Sequence, residues 1–205
     1  NFFEIFKLEN DTLRHTRIDN KIASLKASST HLVDESKMTL VNDTMVVYKP
    51  NGMFYFVNPD FSYDSVAFAG YDGKTSNNLE IRQIQPDGGL NKLWILADKS
   101  TTTSTEQCCS GLYLLENKKQ WTVLDESNGM PKNTDGSFYS PRSIITLPNG
   151  NLLVAVSPDT NSGKFSRLYT IDESNKLTRV YLENLLNNAR VFPRRRFNRG
   201  ITQEL

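Results

Sequence analysis

The chain has 205 residues, 38% hydrophobic and 23% charged, with 24 basic side chains against 23 acidic ones. That balance belongs to a folded globular chain and excludes a disordered one, and a net charge of +1 provides no global field that would select nucleic acid or an anionic membrane. No run reaches the roughly 20 apolar residues of a spanning helix, and no basic-then-apolar leader opens the sequence, so it reads as soluble, with a membrane entering only through flanking segments.

The first predicted element is an apolar-aromatic strand, Phe2-Phe3-Glu4-Ile5-Phe6-Lys7-Leu8, followed by a polar turn and an alternating strand. The same phrase returns at Met53-Phe54-Tyr55-Phe56-Val57, Leu112-Tyr113-Leu114-Leu115 and Leu168-Tyr169-Thr170-Ile171. With Phe6, Phe54, Tyr113 and Tyr169 taken as equivalent, the steps are 48, 59 and 56 residues, at or a little above the blade-length repeats of propellers. Upstream of every copy but the first lies a second strand pair around a tight turn. These turns are Asn42-Asp43-Thr44, Pro86-Asp87-Gly88-Gly89 and Pro148-Asn149-Gly150, the last with an Asn-Gly that supplies the positive φ a hairpin wants.

Each full copy therefore predicts four antiparallel strands, A to D, with B and C apolar on both faces as central strands of stacked sheets are. The expected fold class is all-β, a β-propeller with four-stranded antiparallel blades, about three and a half of them present. Residues 1–19 supply a C–D half blade, 38–70, 79–127 and 142–183 are blades, and 184–205 form a basic tail or the connection to a next blade. An open stack would leave apolar faces and unpaired edges in water, which ring closure removes. Closure asks either for an A–B hairpin from the tail or for a larger ring. The tail has few β-branched residues and a dense arginine run, so the expectation is a piece of a larger ring.

The segments Asn128-Gly129-Met130-Pro131-Lys132-Asn133, Arg142-Ser143-Ile144, Pro148-Asn149-Gly150-Asn151-Leu152-Leu153-Val154 and Ser166-Arg167-Leu168-Tyr169-Thr170-Ile171-Asp172 resemble the two-component regulator propeller repeat. Its pattern runs N-G-L-P-x-N, V-x-x-I, D-G-N-L-W-[IV]-G-T, then G-L-x-x-[YF]-[DN]. Trp94 and Gly111-Leu112-Tyr113 echo it one copy earlier, and Leu153-Val154-Ala155-Val156 departs from it. The resemblance implies a periplasmic sensor portion of a hybrid histidine kinase, often glycan-responsive, or a related propeller of a Bacteroidetes surface or secretion system. It carries over no catalytic residue, and no kinase motif is present.

In an up-and-down blade the A–B and C–D turns emerge at one end and the B–C and D–A connections at the other. The former are short here, while the opposite face carries 20–37, 71–78, 99–109, 128–141 and 158–165. Long loops on a rigid scaffold are where binding residues collect. Tyr71, Asp72, Phe138, Tyr139 and Arg142 on that face combine aromatic platforms with polar groups, a mixture that stacks on a sugar or clamps a peptide. The alternative is that the aromatics pack the loop onto its own blade. Arg190, Arg194, Arg195, Arg196 and Arg199, interleaved with Phe192, Pro193 and Phe197, form a second candidate contact for an anionic partner; blocks of like charge are more often solvated tails.

Catalytic and metal-binding patterns are scarce. His15 and His31 belong to no metal motif, and there is no nucleophile elbow or phosphate loop. Asp34-Glu35, Asp125-Glu126 and Asp172-Glu173 read as turn or edge residues. Adjacent Cys108 and Cys109 suit neither an ordinary disulfide nor a four-ligand zinc site; they read as plain loop cysteines or a strained vicinal disulfide. Asn10-Asp11-Thr12 and Asn42-Asp43-Thr44 fit a glycosylation triplet, and Asp11-Thr12-Leu13, Asp43-Thr44-Met45 and Asp64-Ser65-Val66 resemble the O-glycosylation pattern of Bacteroidetes periplasmic proteins, both pointing outside the cytoplasm. The expectation is a non-enzymatic, periplasmic or cell-surface propeller without cofactor or metal, recognising a glycan or protein ligand through its long-loop face. The alternative is a structural subunit of a large surface or secretion assembly.

Overall fold

The computed structural model describes residues 4–9, 12–17, 37–49, 52–68, 79–99, 110–134, 136, 138–158 and 167–181. They form fourteen β-strands and one 3-10 turn, with no α-helix among the described residues. Strands β1 (Glu4–Glu9) and β2 (Thr12–Arg17) pair as a hairpin. The other twelve build three four-stranded antiparallel sheets, each a meander in chain order. The first contains β3 (Lys37–Val41), β4 (Thr44–Lys49), β5 (Met53–Val57) and β6 (Tyr63–Ala67). The second contains β7 (Leu79–Pro86), β8 (Lys92–Lys99), β9 (Gly111–Glu116) and β10 (Gln120–Val123). The third contains β11 (Ser140–Thr146), β12 (Leu152–Ser157), β13 (Arg167–Ile171) and β14 (Leu177–Val180). The all-β architecture of four-stranded antiparallel units is therefore present.

Turn chemistry fixes the hairpins. Asn42-Asp43 and Asn117-Lys118 hold both central residues at positive φ, the type I′ geometry whose twist matches that of the flanking strands. Pro148-Asn149-Gly150 behaves differently from the sequence expectation. Only Gly150 is left-handed, and Leu147 and Asn151 close a three-residue loop by a 2.7 Å bond from N–H to carbonyl. Glu173-Ser174-Asn175 repeats that loop with Asn175 in the left-handed position.

The sheets stack face to face, with the first strands β3, β7 and β11 as successive neighbours. This explains the unbroken apolar runs. All six residues of β4 are buried, and Leu93, Trp94, Ile95, Leu96 and Ala97 of β8 are fully so; alternate side chains of β8 enter opposite seams, whereas on β4 Val46 and Tyr48 enter the seam with the second sheet and Met45 and Val47 lie in a separate cluster on the outer face. Val46, Tyr48, Phe54 and Phe56 of the first sheet meet Ile84, Ile95, Tyr113 and Leu115 of the second. Trp94, Leu96, Leu112 and Leu114 of the second meet Ile144, Val154, Tyr169 and Leu177 of the third.

The repeat is one residue out of phase in the first sheet. Tyr113 and Tyr169 face the preceding sheet, whereas Phe54 faces the following one. The ladder pairs Val47 with Tyr55, Ile95 with Tyr113 and Val154 with Tyr169, so Tyr55 is the equivalent residue. In a run buried on both faces no parity signal exists, and a one-residue slip changes the face of every side chain.

Coverage is incomplete at the edge strand β3 of the first sheet and across the far face of the third, while Met45, Val47, Tyr55 and Val57 on the first sheet's outer face are buried. On β3, Met38 and Leu40 are 59% and 69% exposed. On the third sheet's far face Ile145 is 50% exposed, and Leu153, Ala155 and Leu168 are half-buried, although their counterparts in β8 and β9 lie under a neighbouring sheet.

Candidate functional site

The seam between the second and third sheets carries a polar cluster at the end where β8 leaves and β11 begins, the end assigned to the long loops. Its centre is Asp98, near the end of β8. The Oδ2 atom accepts from Arg82 Nε at 2.8 Å, from Arg82 Nη2, and from Ser140 Oγ at 2.7 Å, while Oδ1 accepts from Ser110 Oγ at 3.0 Å. Burial raises the Asp98 carboxyl, but the hydrogen bonds from Ser140, Arg82 and Ser110 and the Arg82 charge outweigh it, so the group sits below the usual carboxylate range. One carboxylate thus joins β7, the start of β9 and the start of β11.

Two equivalent irregularities aim arginines at this point. The β7–β8 ladder shifts register between Ile81 and Gln83, and the β11–β12 ladder shifts between Pro141 and Ser143. Arg82 and Arg142 are the extra residues of these bulges, which re-aim side chains and leave a residue unpaired. Pro141, with no N–H to contribute, is tolerated at such an interruption. The Arg82 bulge lets two consecutive residues serve one seam, since Gln83 also crosses it. Its side-chain amide donates to Ile144 O at 2.7 Å and accepts from Ile144 N at 3.0 Å, completing the edge of β11 as a strand would. Arg142 approaches Asp98 Oδ2 at 3.6 Å without a hydrogen bond and keeps a side chain 38% exposed.

The connection from β10 to β11 divides in two. Residues 124–130 form a strap along the seam: Leu124 and Met130 are buried in it, and Asn128 donates to Asn175 O in the β13–β14 turn. Gly129 is required there, because its φ is +84° and a Cβ would lie 2.7 Å from Leu177 O. Length alone had assigned all of 128–141 to the long-loop end. Only 131–139 returns to it, as a small hairpin with Lys132 bridged to Phe138 and Tyr139 N donating to Pro131 O at 2.9 Å.

Of the residues singled out in the sequence, Phe138, Tyr139 and Arg142 come together here. Arg142 belongs to strand β11 rather than to the loop. Tyr139 is 9% exposed, part of the core under the hairpin, with the Arg167 guanidinium 5.4 Å from its ring centre. Phe138 packs half-buried on the same core and lies under Lys132 Nζ at 5.4 Å. The aromatic platforms are thus engaged by the protein's own core and cations, and the groups offered outward are basic. Tyr71, Asp72, the five tail arginines, His31, Asp34-Glu35 and both cysteines lie outside the described residues.

Asp98, Arg82 and Ser140 went unnoticed in the sequence. The available signal was parity: a carboxylate closing the buried run Leu93–Ala97 must find partners. Asp125 and Asp172 are turn residues as expected, each accepting from the N–H and hydroxyl of the serine two positions on, and Asp60 does the same. Thr44 is buried and donates to Asn58 Oδ1 at 3.2 Å, which removes it as an accessible glycosylation hydroxyl, whereas Ser65 is exposed. No group of three or more His, Cys, Asp or Glu arranged to hold a metal occurs among the described residues. No helix among them is long and apolar enough to cross a membrane.

No protein-family model matches the chain, and no curated protein is significantly similar to it.

Proposed function

We propose that the chain is a non-enzymatic recognition module, part of an exported β-propeller, that binds a glycan or protein ligand at the end where 131–139 and the two arginine bulges meet. The observation that carries this reading is the asymmetry between the two ends of the stacked sheets. One end is closed by tight turns with backbone hydrogen bonds; the other gathers a hairpin, two bulges and exposed cationic side chains over a rigid seam. Recognition residues are disproportionately found on such irregular elements carried by a fixed scaffold.

The propeller geometry draws support from the stacking of three similar meanders and from the uncovered far face of the third sheet. Positions equivalent to Leu153 and Leu168 are buried by the next sheet one repeat earlier, and Met38 and Leu40 stand exposed at the opposite extreme. A further blade on the third sheet's far face would remove the exposure there. The likeness to two-component regulator propeller repeats gives the same reading a sensor role in the periplasm or at the cell surface. The uncovered face of the third sheet also favours a second reading, in which it is an interface with a neighbouring subunit of a large assembly.

The test is ligand capture on glycan and surface-protein arrays with the wild type and with a variant whose 131–139 hairpin is replaced by a two-residue Asn-Gly turn. Loss of capture with the fold retained supports recognition at this end. Unchanged capture would move recognition elsewhere.

A further inference from the structure

The aromatic residues near this end are covered by the chain's own cations, whereas three arginines at the same level keep unused donors. Arg142 makes no hydrogen bond within the described structure. Among the described residues Arg167 has its stacking contact with Tyr139, and Arg82 commits Nε and Nη2 to Asp98. The ladder sets their spacing: Pro141, next to Arg142, pairs with Val156, which pairs with Arg167 across β12. Arg142 and Arg167 therefore start about 10 Å apart, two strand spacings. Asp98 is the carboxylate that Arg82 and Arg142 share, so the group keeps an excess positive charge.

From this arrangement we infer that the rim of Arg82, Arg142 and Arg167 is a subsite for an acidic saccharide, receiving a carboxylate or sulfate group on the Arg142 fork and a second anionic group near Arg167. The inference rests on the recognition reading above and gives its ligand a chemical class. Guanidinium forks match the planar carboxylate and the sulfate oxygens bidentately. A nucleic acid would call for open aromatic faces on which bases stack, and here Tyr139 lies under Arg167 and Phe138 under Lys132. An extended peptide would call for a free strand edge, and Gln83 already occupies Ile144 N and O at the β11 edge.

The experiment is calorimetric titration of the full chain with four probes: a chondroitin sulfate hexasaccharide, a neutral chitohexaose, oligoglutamate and oligo-dT. Expected is binding of the sulfated hexasaccharide, weakened tenfold or more by Arg142→Ala and less by Arg167→Ala, with Arg142→Lys in between. The slope of log K against log salt should flatten in Arg142→Ala, and Ser65→Ala, exposed on β6 of the first sheet, should bind as wild type. Equal binding of the neutral and sulfated hexasaccharides, indifferent to Arg142→Ala but lost on replacing the 131–139 hairpin, would overturn the acidic subsite and leave recognition at this end standing. Tighter binding of oligoglutamate or oligo-dT, or no response to the sulfated hexasaccharide, would also overturn the subsite. Sulfated-hexasaccharide binding unchanged by both Arg142→Ala and the hairpin replacement would remove the recognition reading as well.

Discussion

The two seams between the described sheets are built on opposite principles. Between the first and second sheets the contact is aromatic: Phe68 sits among Phe54, Tyr113 and Trp121, with ring centres 4.6 to 6.1 Å away. Its polar crossings among the described residues lie at the rim, the Trp121 indole donating to Ala67 O at 2.9 Å and the exposed Lys118–Asp64 ion pair at 3.5 Å. Between the second and third sheets the core is largely aliphatic, and orientation comes from directional groups: the Asp98 network, the Gln83 clamp and the Asn128 strap. Apolar area holds sheets together without specifying how far they slide, since burial is non-directional. Hydrogen bonds at fixed positions specify it. The polar seam is therefore the one that can hold side chains such as Arg142 and Arg167 in a set relation to each other.

Removing the centre of each seam should give the largest effects and separate the two designs. Phe68→Ala, which truncates a fully buried ring, is expected to cost about 3–5 kcal/mol in urea unfolding. Asp98→Ala is expected to cost a similar ~3–5 kcal/mol, because Arg82 and Ser140 lose a shared partner in a buried setting. The two differ with pH. Since the folded Asp98 carboxyl lies below its unfolded value, its stabilisation is complete above the unfolded carboxylate range, around pH 4, and is lost as the pH falls through the folded value. Phe68→Ala should keep that acid sensitivity, and Asp98→Asn should blunt it. An Asp98→Asn variant with the wild-type acid profile would show that the carboxylate does not organise the seam.

Next in size is Gly129→Ala, in the strap along the second seam. A left-handed backbone costs a residue with a Cβ about 1–2 kcal/mol, and displacing Leu177 O adds overpacking strain of about 1–3 kcal/mol. Thermal unfolding should register the loss, and hydrogen exchange should show the 175–177 turn opening with it. The smallest expected effect belongs to Gln83→Ala, about 1–3 kcal/mol for leaving the Ile144 N–H and carbonyl without that partner. A neutral Gln83→Ala would mean that β11 is positioned by Asp98 alone.

The sequence made the strand pairs, their antiparallel order and the position of the tight turns readable, because Asn-Asp, Pro-Asn-Gly and Asp-x-Ser impose local geometry whatever lies around them. Phase was not readable in the first sheet. Met45-Val46-Val47-Tyr48 and Met53-Phe54-Tyr55-Phe56-Val57 are apolar at every position, so Phe54 and Tyr55 were equally good partners for Tyr113 until neighbouring sheets distinguished their faces. The site was legible in part. Phe138 and Arg142 were found through loop length and composition, while Asp98 looked like a strand-end residue, and the bulges that aim Arg82 and Arg142 leave no sequence mark beyond Pro141. The strap at 124–130 stayed hidden because its purpose is a contact with Asn175 and Leu177, some 50 residues further on, which spacing does not encode.

The central claim, that recognition occurs at the arginine end of the polar seam, is tested most directly by hydrogen exchange on the full chain with and without a saturating ligand. The account predicts new protection confined to residues 81–83, 138–143 and 167–169, with the turns at 87–91, 117–119, 147–151 and 172–176 unchanged. Protection concentrated on those turns, with the arginine end unaffected, would contradict it.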